Sequence, residues 1–309
     1  MLQPRSCDDI NVVMEMAGRE KFSEVKITPR GGGTGTNGQS LNNTIILDTS
    51  KHLNTILDFD AENGLVQVEP GVVLDQLNAW LKPHGFFFPP AVSTASRATI
   101  GGMIGSDSSG KGSRIYGKTS HYIHDMTTVL IDGTDFNTRA MTADEARDVM
   151  ARDDRVGMLY RKIHDEIAPK RDQIKATFPE MNRGLTGYNL KEAVSDQGDM
   201  NLSFLIAGAE GSLGMVKKIT LRVIPLPKHK AITVVRYDSF DSALRHVGTL
   251  VQFDPVAIES IDDKVMKLAE RCASWQMLGK LHGTEYRAGQ TRGFYVGESV
   301  GEKPAKAAG

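Results

Sequence analysis

Apolar residues recur at helical spacing in several parts of the chain. A first amphipathic helix is predicted over residues 6–18, with Ser6 as its N-cap. A second helix opens at Pro70-Gly71 and ends at Gly85, where glycine is the usual C-terminal residue. Further helices are predicted from a capping box at Thr142 and Glu145, over residues 155–177, and from a cap at Ser239.

Short apolar runs between these helices predict β-strands. They cover residues 25–28, 44–48, 64–68, 126–131, 202–207, 215–224, 232–236 and 256–261. Asp132-Gly133 predicts a hairpin turn. Residues 86–118 are different, because they are rich in Gly, Ser, Thr and Pro and show little periodicity. So long an irregular stretch inside a domain is usually functional.

The chain of 309 residues is long enough for two domains. Pro225 and Pro227 mark the predicted boundary, so a first domain covers residues 1–227 and a β-α-β pattern over residues 228–270 begins a second. Residues 271–309 form an atypical tail in which the apolar periodicity fades. A disordered tail is one interpretation of it, and a truncated or frame-shifted chain is the favoured one.

Composition and charge exclude several classes of protein. A net charge of −1 argues against a nucleic-acid-binding surface, and no apolar run approaches the length of a membrane span. The N-terminus lacks the apolar segment of a signal peptide, so the cytoplasm is the expected location. Cys7 and Cys272 lie far apart in sequence and predict neither a disulfide framework nor a metal or iron–sulfur site.

Three glycine-rich segments carry the candidate chemistry: residues 30–38, 98–112 and 208–214. Consecutive N–H groups in such turns form a concave site for anions, so the first segment predicts a phosphate site rather than a flexible linker. It contains G-x-G-x-x-G, but a strand follows where a Rossmann site needs a helix. The second nearly matches a P-loop, except that Gly112 stands where Ser or Thr would reach magnesium. The three segments predict one long ligand with several phosphates, or else are three unrelated turns.

Residues 29–35 resemble the pyrophosphate loop of the vanillyl-alcohol-oxidase (PCMH-type) FAD-binding family. Other blocks resemble the same family, in its order: residues 68–72, Pro89-Pro90, 98–105, Tyr116-Gly117 and the G-x-E-G-x-L-G block at 208–214. The most similar branch contains the D-lactate, glycolate and D-2-hydroxyglutarate dehydrogenases, above all the long forms that fuse a flavin half to an iron–sulfur half. The resemblance implies an α+β fold, with two α+β subdomains around FAD and the start of a ferredoxin-like substrate domain.

The resemblance also implies cofactor-binding residues. FAD would be non-covalent, because the first loop has no histidine of the kind that attaches flavin in some relatives. An iron–sulfur cluster would belong only to a missing or separate part. The implied FAD-binding residues are Arg30, Gly31, Gly32, Gly33, Thr34, Gly35, Thr36, Asn37, Pro90, Ser93, Thr94, Ala98, Thr99, Gly101, Gly102, Ser106, Gly110, Glu210, Gly211, Gly214 and Val216.

The implied activity is an FAD-dependent dehydrogenase that takes a hydride from a small D-2-hydroxy acid, of the D-2-hydroxyglutarate or D-lactate type. Its electrons would pass to a quinone, a cytochrome or an iron–sulfur module rather than to NAD, in the cytoplasm or at the periphery of the inner membrane. The catalytic base stays unassigned, because the family's catalytic histidines belong to the later substrate domain. His121 and His124 are weighed, but a surface or strand-end position is favoured for them, and Arg183 could approach the flavin face, although a surface-loop position is favoured for it. The alternatives are a catalytically incomplete FAD-binding fragment and an NADPH-dependent enolpyruvyl-sugar reductase.

Overall fold

The chain divides between Leu226 and Pro227 into two units, Met1–Leu226 and Pro227–Gly309. This division falls one residue from the boundary predicted by the proline pair. The computed structural model describes residues 1–180, 187–262, 264, 265, 268 and 293–301.

The first unit mixes strands and helices along its whole length. Its strands are β1 (Ile27–Arg30), β2 (Ile45–Asp48), β3 (Ile56–Asp60), β4 (Leu65–Val68), β5 (Phe86–Phe87), β6 (Ile123–Val129), β7 (Asp135–Met141), β8 (Met200–Asn201), β9 (Met215–Arg222) and β10 (Ile224–Pro225). Its α-helices are α1 (Cys7–Ala17), α2 (Leu74–Leu81), α3 (Ile100–Gly105), α4 (Ser113–Tyr116), α5 (Ala143–Met150), α6 (Arg155–Ile167), α7 (Arg171–Thr177), α8 (Leu190–Ala193) and α9 (Ser203–Ile206).

A six-stranded antiparallel sheet forms the centre of this unit, in the order β3-β4-β9-β6-β7-β8. Two small sheets accompany it: β1 and β2 pair in parallel, and β5 pairs antiparallel with β10. The order is not sequential, because β9 returns late in the chain to lie between β4 and β6. The loop before β9 is thereby brought to a sheet whose other strands come from much earlier in the sequence.

The larger hydrophobic core lies against this sheet. Alternate residues of β4, Val66 and Val68, are fully buried in it, as are Leu74, Leu77 and Leu81 on one face of α2. Burial of a side chain of this size stabilises the fold by about 1.5–3 kcal/mol. The leucine spacing therefore predicted both the helix and the face that packs inward.

A smaller core fastens the N-terminal elements. Ile10 and Met14 of α1 pack with Leu47 of β2 and with Val129 and Met215 at the ends of β6 and β9. The N-terminus of α1 is closed by the predicted Ser6 cap, which forms a capping box with Asp9. This packing fixes β2, and with it β1, whose last residue leads into the first glycine-rich segment.

The second unit contains β11 (His229–Tyr237), α10 (Phe240–Val251), β12 (Ala257–Asp262) and β13 (Gly293–Gly301). β13 pairs antiparallel with both β11 and β12 and lies between them. The predicted β-α-β pattern and the Ser239 cap are confirmed. Residues 293–301 of the tail form a strand, while the rest of residues 271–309 lies outside the described residues.

Several predicted elements were wrong in type or extent. Residues 202–207 contain a helical turn, α9, rather than a strand, because a short run buried on all sides has no periodicity to distinguish the two. The helix predicted over 155–177 is broken into α6 and α7 at Pro169, which lacks the N–H that a continuous helix needs. The irregular stretch 86–118 contains α3 and α4.

The strand β3 was missed altogether. It is the edge strand of the large sheet, and most of its residues are exposed or half-buried. Asp58 and Asp60 interrupt its apolar pattern, and Asp is depleted in strands. Its pairing with β4, which no local signal encodes, supplies the missing stabilisation.

Candidate functional site

A cleft of about 340 Å³ lies in the first unit where the three glycine-rich segments meet. We call it the glycine cleft. Its wall consists of Pro29, Arg30, Gly31, Gly32, Gly33, Thr34, Gly35, Thr36, Asn37, Gln39, Ser40, Thr49, Pro70, Val92, Thr94, Ala98, Thr99, Gly101, Gly102, Met103, Gly105, Ser106, Ser108, Ile206, Glu210, Gly211, Gly214, Met215 and Val216.

The first glycine-rich segment leaves β1 and packs directly on the second. A Cβ added at Gly31 would lie 2.0 Å from Oγ1 of Thr99, and one added at Gly32 would lie 2.1 Å from the carbonyl oxygen of Arg97. No side chain fits in either place, so glycine is required by the approach of the Thr99 side chain to Gly31 and of the Arg97 backbone to Gly32. The sequence shows where the glycines are, and the structure shows which neighbouring residue occupies the space that a side chain would need.

The amide groups of this loop are available to a ligand. Within the described parts of the chain, the N–H groups of residues 31–36 donate to no carbonyl or side-chain oxygen, whereas the N–H of Asn37 donates to the Gln39 side chain. Consecutive unpaired amides in a turn form a nest that binds anions. Gly33 contributes to this turn with a left-handed backbone, at φ 64°.

Arg30 adds a positive charge to the same wall. Its Nη1 lies 3.3 Å from both the carbonyl oxygen and the hydroxyl of Ser40, which fixes the guanidinium beside the loop. A Cβ added at Gly33 would lie 2.4 Å from Nη2 of Arg30. The guanidinium therefore lies against the backbone that supplies the free amides, and both favour a negatively charged ligand.

The second segment enters the cleft through α3. Thr99 caps this helix by accepting a hydrogen bond from the amide of Gly102. A Cβ at Gly101 would lie 2.6 Å from that of Pro70, so the helix packs closely on the turn that precedes α2. Beyond α3, the hydroxyls of Ser106 and Ser108 lie 2.7 Å apart on the cleft wall.

The third segment closes the cleft from the side of β9. The amides of Gly208 and Glu210 donate to the carbonyl oxygens of Ile104 and Gly105, which ties this loop to the second segment. Gly211 has φ 85°, and a Cβ there would lie 2.3 Å from Cγ of Pro29. Glu210 also has a left-handed backbone, at φ 50°, which is uncommon for a residue with a side chain.

The structure brings all but three of the residues implied by the family resemblance to this one cleft. The exceptions are Pro90, Ser93 and Gly110. Pro90 is buried and Ser93 is exposed. Gly110 has a packing role, because a Cβ there would lie 1.8 Å from the carbonyl oxygen of Ala91.

Several wall residues are not among those implied by the sequence. Gln39 and Ser40 directly follow the first glycine segment, and their position in sequence was the signal that could have found them. Ser108 lies inside the second segment and was passed over. Thr49 and Ile206 come from other parts of the chain, so only the tertiary structure brings them to the cleft.

Charged side chains are scarce on the described wall of the cleft. Arg30 and Glu210 are its only charged residues, and it contains no histidine or cysteine. His121 packs instead against Phe204, and His124 lies 2.8 Å from Asp125. Arg183 lies outside the described residues. No group of His, Cys, Asp and Glu among the described residues is arranged to hold a metal ion.

Residues 1–139 match the family described as "FAD binding domain". This match gives the first 139 of the chain's 309 residues as an FAD-binding domain of the PCMH type. The resemblance stated from the glycine-rich motifs, and FAD as the cofactor of the family domain, are therefore confirmed.

Curated relatives extend the similarity beyond that domain. A D-2-hydroxyglutarate dehydrogenase from Pseudomonas putida is 42% identical over 98% of this chain and 30% of its own length. One from Escherichia coli is 40% identical over 90% of this chain and 27% of its own. A D-lactate dehydrogenase from Anaerostipes hadrus is 25% identical over 93% of this chain and half of its own length. The chain thus spans about 30% of the length of the D-2-hydroxyglutarate dehydrogenases it matches.

Solved structures show the same fold. An alkyldihydroxyacetonephosphate synthase matches with a TM-score of 0.63 and 16% identity, over 97% of this chain and 47% of its own. A second structure of that protein, in another crystal form, gives a TM-score of 0.64. The predicted α+β fold of the PCMH type is confirmed.

The donor set of the glycine cleft fits FAD. The free amides of residues 31–36 and the guanidinium of Arg30 match the negative charge of a pyrophosphate. The hydroxyls of Thr99, Ser106 and Ser108 offer further hydrogen bonds along the second segment.

Among the described residues, no helix is both long and apolar enough to cross a bilayer.

Proposed function

We propose that this chain is the FAD-binding part of a D-2-hydroxy-acid dehydrogenase, with D-2-hydroxyglutarate as the favoured substrate. The observation that carries the proposal is the 42% identity to a D-2-hydroxyglutarate dehydrogenase over 98% of the chain. Identity of this extent includes the second unit as well as the FAD-binding domain. D-lactate is the second substrate to test, because a D-lactate dehydrogenase is also similar over most of the chain.

The glycine cleft supplies the cofactor site in this proposal. The amides of residues 31–36 and the side chain of Arg30 hold the pyrophosphate, and the loop at 208–214 closes the cleft beside them. FAD is bound without a covalent link, which the lack of histidine and cysteine on the described wall supports. The predicted contacts of Pro90, Ser93 and Gly110 are not part of the proposal, since these residues do not reach the wall.

When bound, FAD supplies the redox chemistry by accepting a hydride from C2 of the hydroxy acid. The role of the described residues is to bind and orient. A base must also remove the proton of the substrate hydroxyl, and a cationic group must hold the carboxylate. No residue of the described wall is suited to be this base, because its one carboxylate, Glu210, lies in the loop assigned to the cofactor. We assign the base to a part outside the described wall and the electron acceptor to a quinone, a cytochrome or an iron–sulfur module.

The test is an anaerobic visible spectrum of the purified chain reconstituted with FAD, recorded before and after addition of D-2-hydroxyglutarate or D-lactate. A bound flavin spectrum that bleaches with one acid shows a dehydrogenase whose base is in this chain. If no flavin binds after reconstitution, the proposal is wrong. L-2-hydroxyglutarate is the matched control and leaves the spectrum unchanged.

A second candidate function is a FAD-binding fragment without catalytic activity of its own. The wall composition favours it, because it lacks a histidine to act as base. In this case the flavin binds but stays oxidised with either acid. Addition of NADPH to the same sample tests the remaining alternative, an enolpyruvyl-sugar reductase. In that case the bound flavin bleaches with NADPH and with neither acid.

A further inference from the structure

A buried ion pair joins Asp107 of the second glycine-rich segment to Lys118. Nζ of Lys118 lies 2.6 Å from Oδ2 of Asp107, and the two side chains keep only 10% and 11% of their exposure. Two charges that are taken out of water bind each other strongly, but each becomes a severe penalty once its partner is removed. Neither side chain is on the wall of the cleft. The role of this buried pair must therefore be something other than direct contact with a ligand in the cleft.

The ion pair is one of several contacts between residues 118–120 and the segment behind the cleft. The amide of Ser120 donates to Oδ1 of Asp107 at 2.9 Å. The amide and the hydroxyl of Thr119 both donate to the carbonyl oxygen of Ser108, at 3.0 and 2.8 Å. Thr119 is fully buried and Ser120 nearly so. Residues 118–120 thus hold Asp107 through its side chain and Ser108 through its carbonyl oxygen.

The backbone that is held in this way turns through the left-handed region. Asp107 has φ 42°, a left-handed conformation that Asp adopts more readily than most residues with a Cβ but that still needs its surroundings to favour it. The residues on either side of it, Ser106 and Ser108, are both on the cleft wall, and their hydroxyls lie 2.7 Å apart. The turn at Asp107 therefore lies between the two hydroxyls that reach the cleft, and the ion pair is one of the contacts that hold this turn in place.

We propose that Lys118 and Asp107 are positioning residues for the cofactor. Their ion pair holds the left-handed turn at Asp107 and so fixes Ser106 and Ser108 on the wall where FAD binds. The inference rests on the proposed FAD-binding function. It goes beyond that function by assigning a role to two residues that do not touch the cleft.

The test compares FAD affinity and the flavin spectrum of three forms of the protein: wild type, Lys118→Met and Lys118→Arg. Apoprotein is titrated with FAD, and the quenching of flavin fluorescence gives the dissociation constant. We expect Lys118→Met to raise that constant about tenfold or more, because it leaves the Asp107 carboxylate buried and unpaired. We also expect a shifted flavin absorption band. Lys118→Arg keeps the charge and is expected to stay within about threefold of wild type.

A matched control removes an exposed ion pair. Lys170 and Glu166 lie 2.8 Å apart with more than half of each side chain exposed. Lys170→Met is expected to change neither the dissociation constant nor the spectrum, since exposed pairs contribute little. Thr119→Val probes the same contacts without a change in charge and is expected to weaken FAD binding about two- to fivefold. If Lys118→Met does not fold, the FAD affinity of Thr119→Val tests the positioning role in its place.

The outcomes separate this inference from the proposed function. If the wild type fails to bind FAD, both are wrong. If the wild type binds FAD, and folded Lys118→Met and Thr119→Val bind within twofold of it with unchanged spectra, only the positioning role is wrong. In that case the ion pair serves the stability of the fold alone, and the variants differ from wild type only in their unfolding temperature.

Discussion

The hydroxyl of Tyr188 lies 3.0 Å from the hydroxyl of Ser212, in the loop that closes the glycine cleft. Ser212 uses its one proton to donate to the carbonyl oxygen of Ala209, at 2.6 Å, so Tyr188 is the donor to Ser212. This contact joins the segment before α8 to the loop at 208–214. Neither residue lines the cleft, yet the loop they join does.

Tyr188→Phe removes one hydrogen bond and keeps the ring. A partly exposed hydrogen bond contributes about 0.5–1.5 kcal/mol, so we expect the FAD dissociation constant to rise about two- to tenfold. Ser212→Ala removes both hydrogen bonds and is expected to have the larger effect. If the double variant binds FAD no more weakly than Ser212→Ala alone, the two residues act through the same contact. Equal affinities for wild type and Tyr188→Phe would contradict the prediction.

Arg30→Met removes the positive charge beside the free amides. A charge-assisted hydrogen bond contributes about 1.5–3 kcal/mol, so the FAD dissociation constant should rise by about one to two orders of magnitude. The same titration with Arg19→Met is the control, because Arg19 forms an exposed pair with Glu15 and is not on the wall of the cleft. The difference in FAD affinity between Arg30→Met and wild type should become smaller at high salt, because salt screens the charge of Arg30 in the wild type. A salt-independent loss would indicate that packing, not charge, is the cause.

Gly211→Ala and Gly38→Ala separate a steric effect from backbone strain. Both glycines have left-handed backbones, at φ 85° and 76°. A Cβ at Gly211 would lie 2.3 Å from Cγ of Pro29, whereas a Cβ at Gly38 meets nothing within 4 Å. Gly38→Ala should therefore lose only the strain term, about 1–2 kcal/mol of the free energy of unfolding.

Gly211→Ala should lose more than this and should also weaken FAD binding, since Pro29 and Gly211 both line the cleft. Denaturant unfolding measures the first effect and FAD titration the second. The prediction fails if the two variants are equally stable. It also fails if Gly38→Ala is the one that loses FAD.

Cys7 should react slowly with alkylating reagents. Burial, helped by the nearby Glu69 carboxylate, raises the pKa of the Cys7 thiol to about 11. The thiol lies 3.2 Å from the carbonyl oxygen of Lys217, to which it donates. In a Cys272→Ser background, iodoacetamide at pH 8 should modify the folded protein far more slowly than the protein in denaturant. Equal rates would contradict the raised pKa.

The same shift has a consequence for stability. A thiol whose folded pKa lies above its unfolded value of about 8.5 stabilises the fold fully at lower pH, and this contribution is lost as pH rises toward 11. The free energy of unfolding should therefore fall between about pH 8.5 and 11. Cys7→Ala, which has no group to ionise, should show a smaller fall over the same range. That comparison isolates Cys7 from the tyrosines and lysines that titrate there.

The sequence by itself determined the local parts of this protein and the family of its FAD-binding domain. The Ser6, Thr142 and Ser239 caps and the leucine face of α2 were predicted correctly, because their signals lie within a few neighbouring residues. The glycine-rich motifs identified the FAD-binding family for a similar reason, since glycine marks the places where backbone must approach backbone or ligand. The wrong assignment of residues 202–207 and the missed strand β3 had no such local signal.

Only the tertiary structure decided how the three glycine segments share one wall and which residues hold these segments in place. The insertion of β9 between β4 and β6 brings residues 208–216 beside a loop that starts at Arg30. The same folding places Lys118 against Asp107 and Tyr188 against Ser212, in pairs that share no motif. Such contacts depend on which strands pair across long loops, and that choice reflects the burial of the whole core rather than the preference of any one segment.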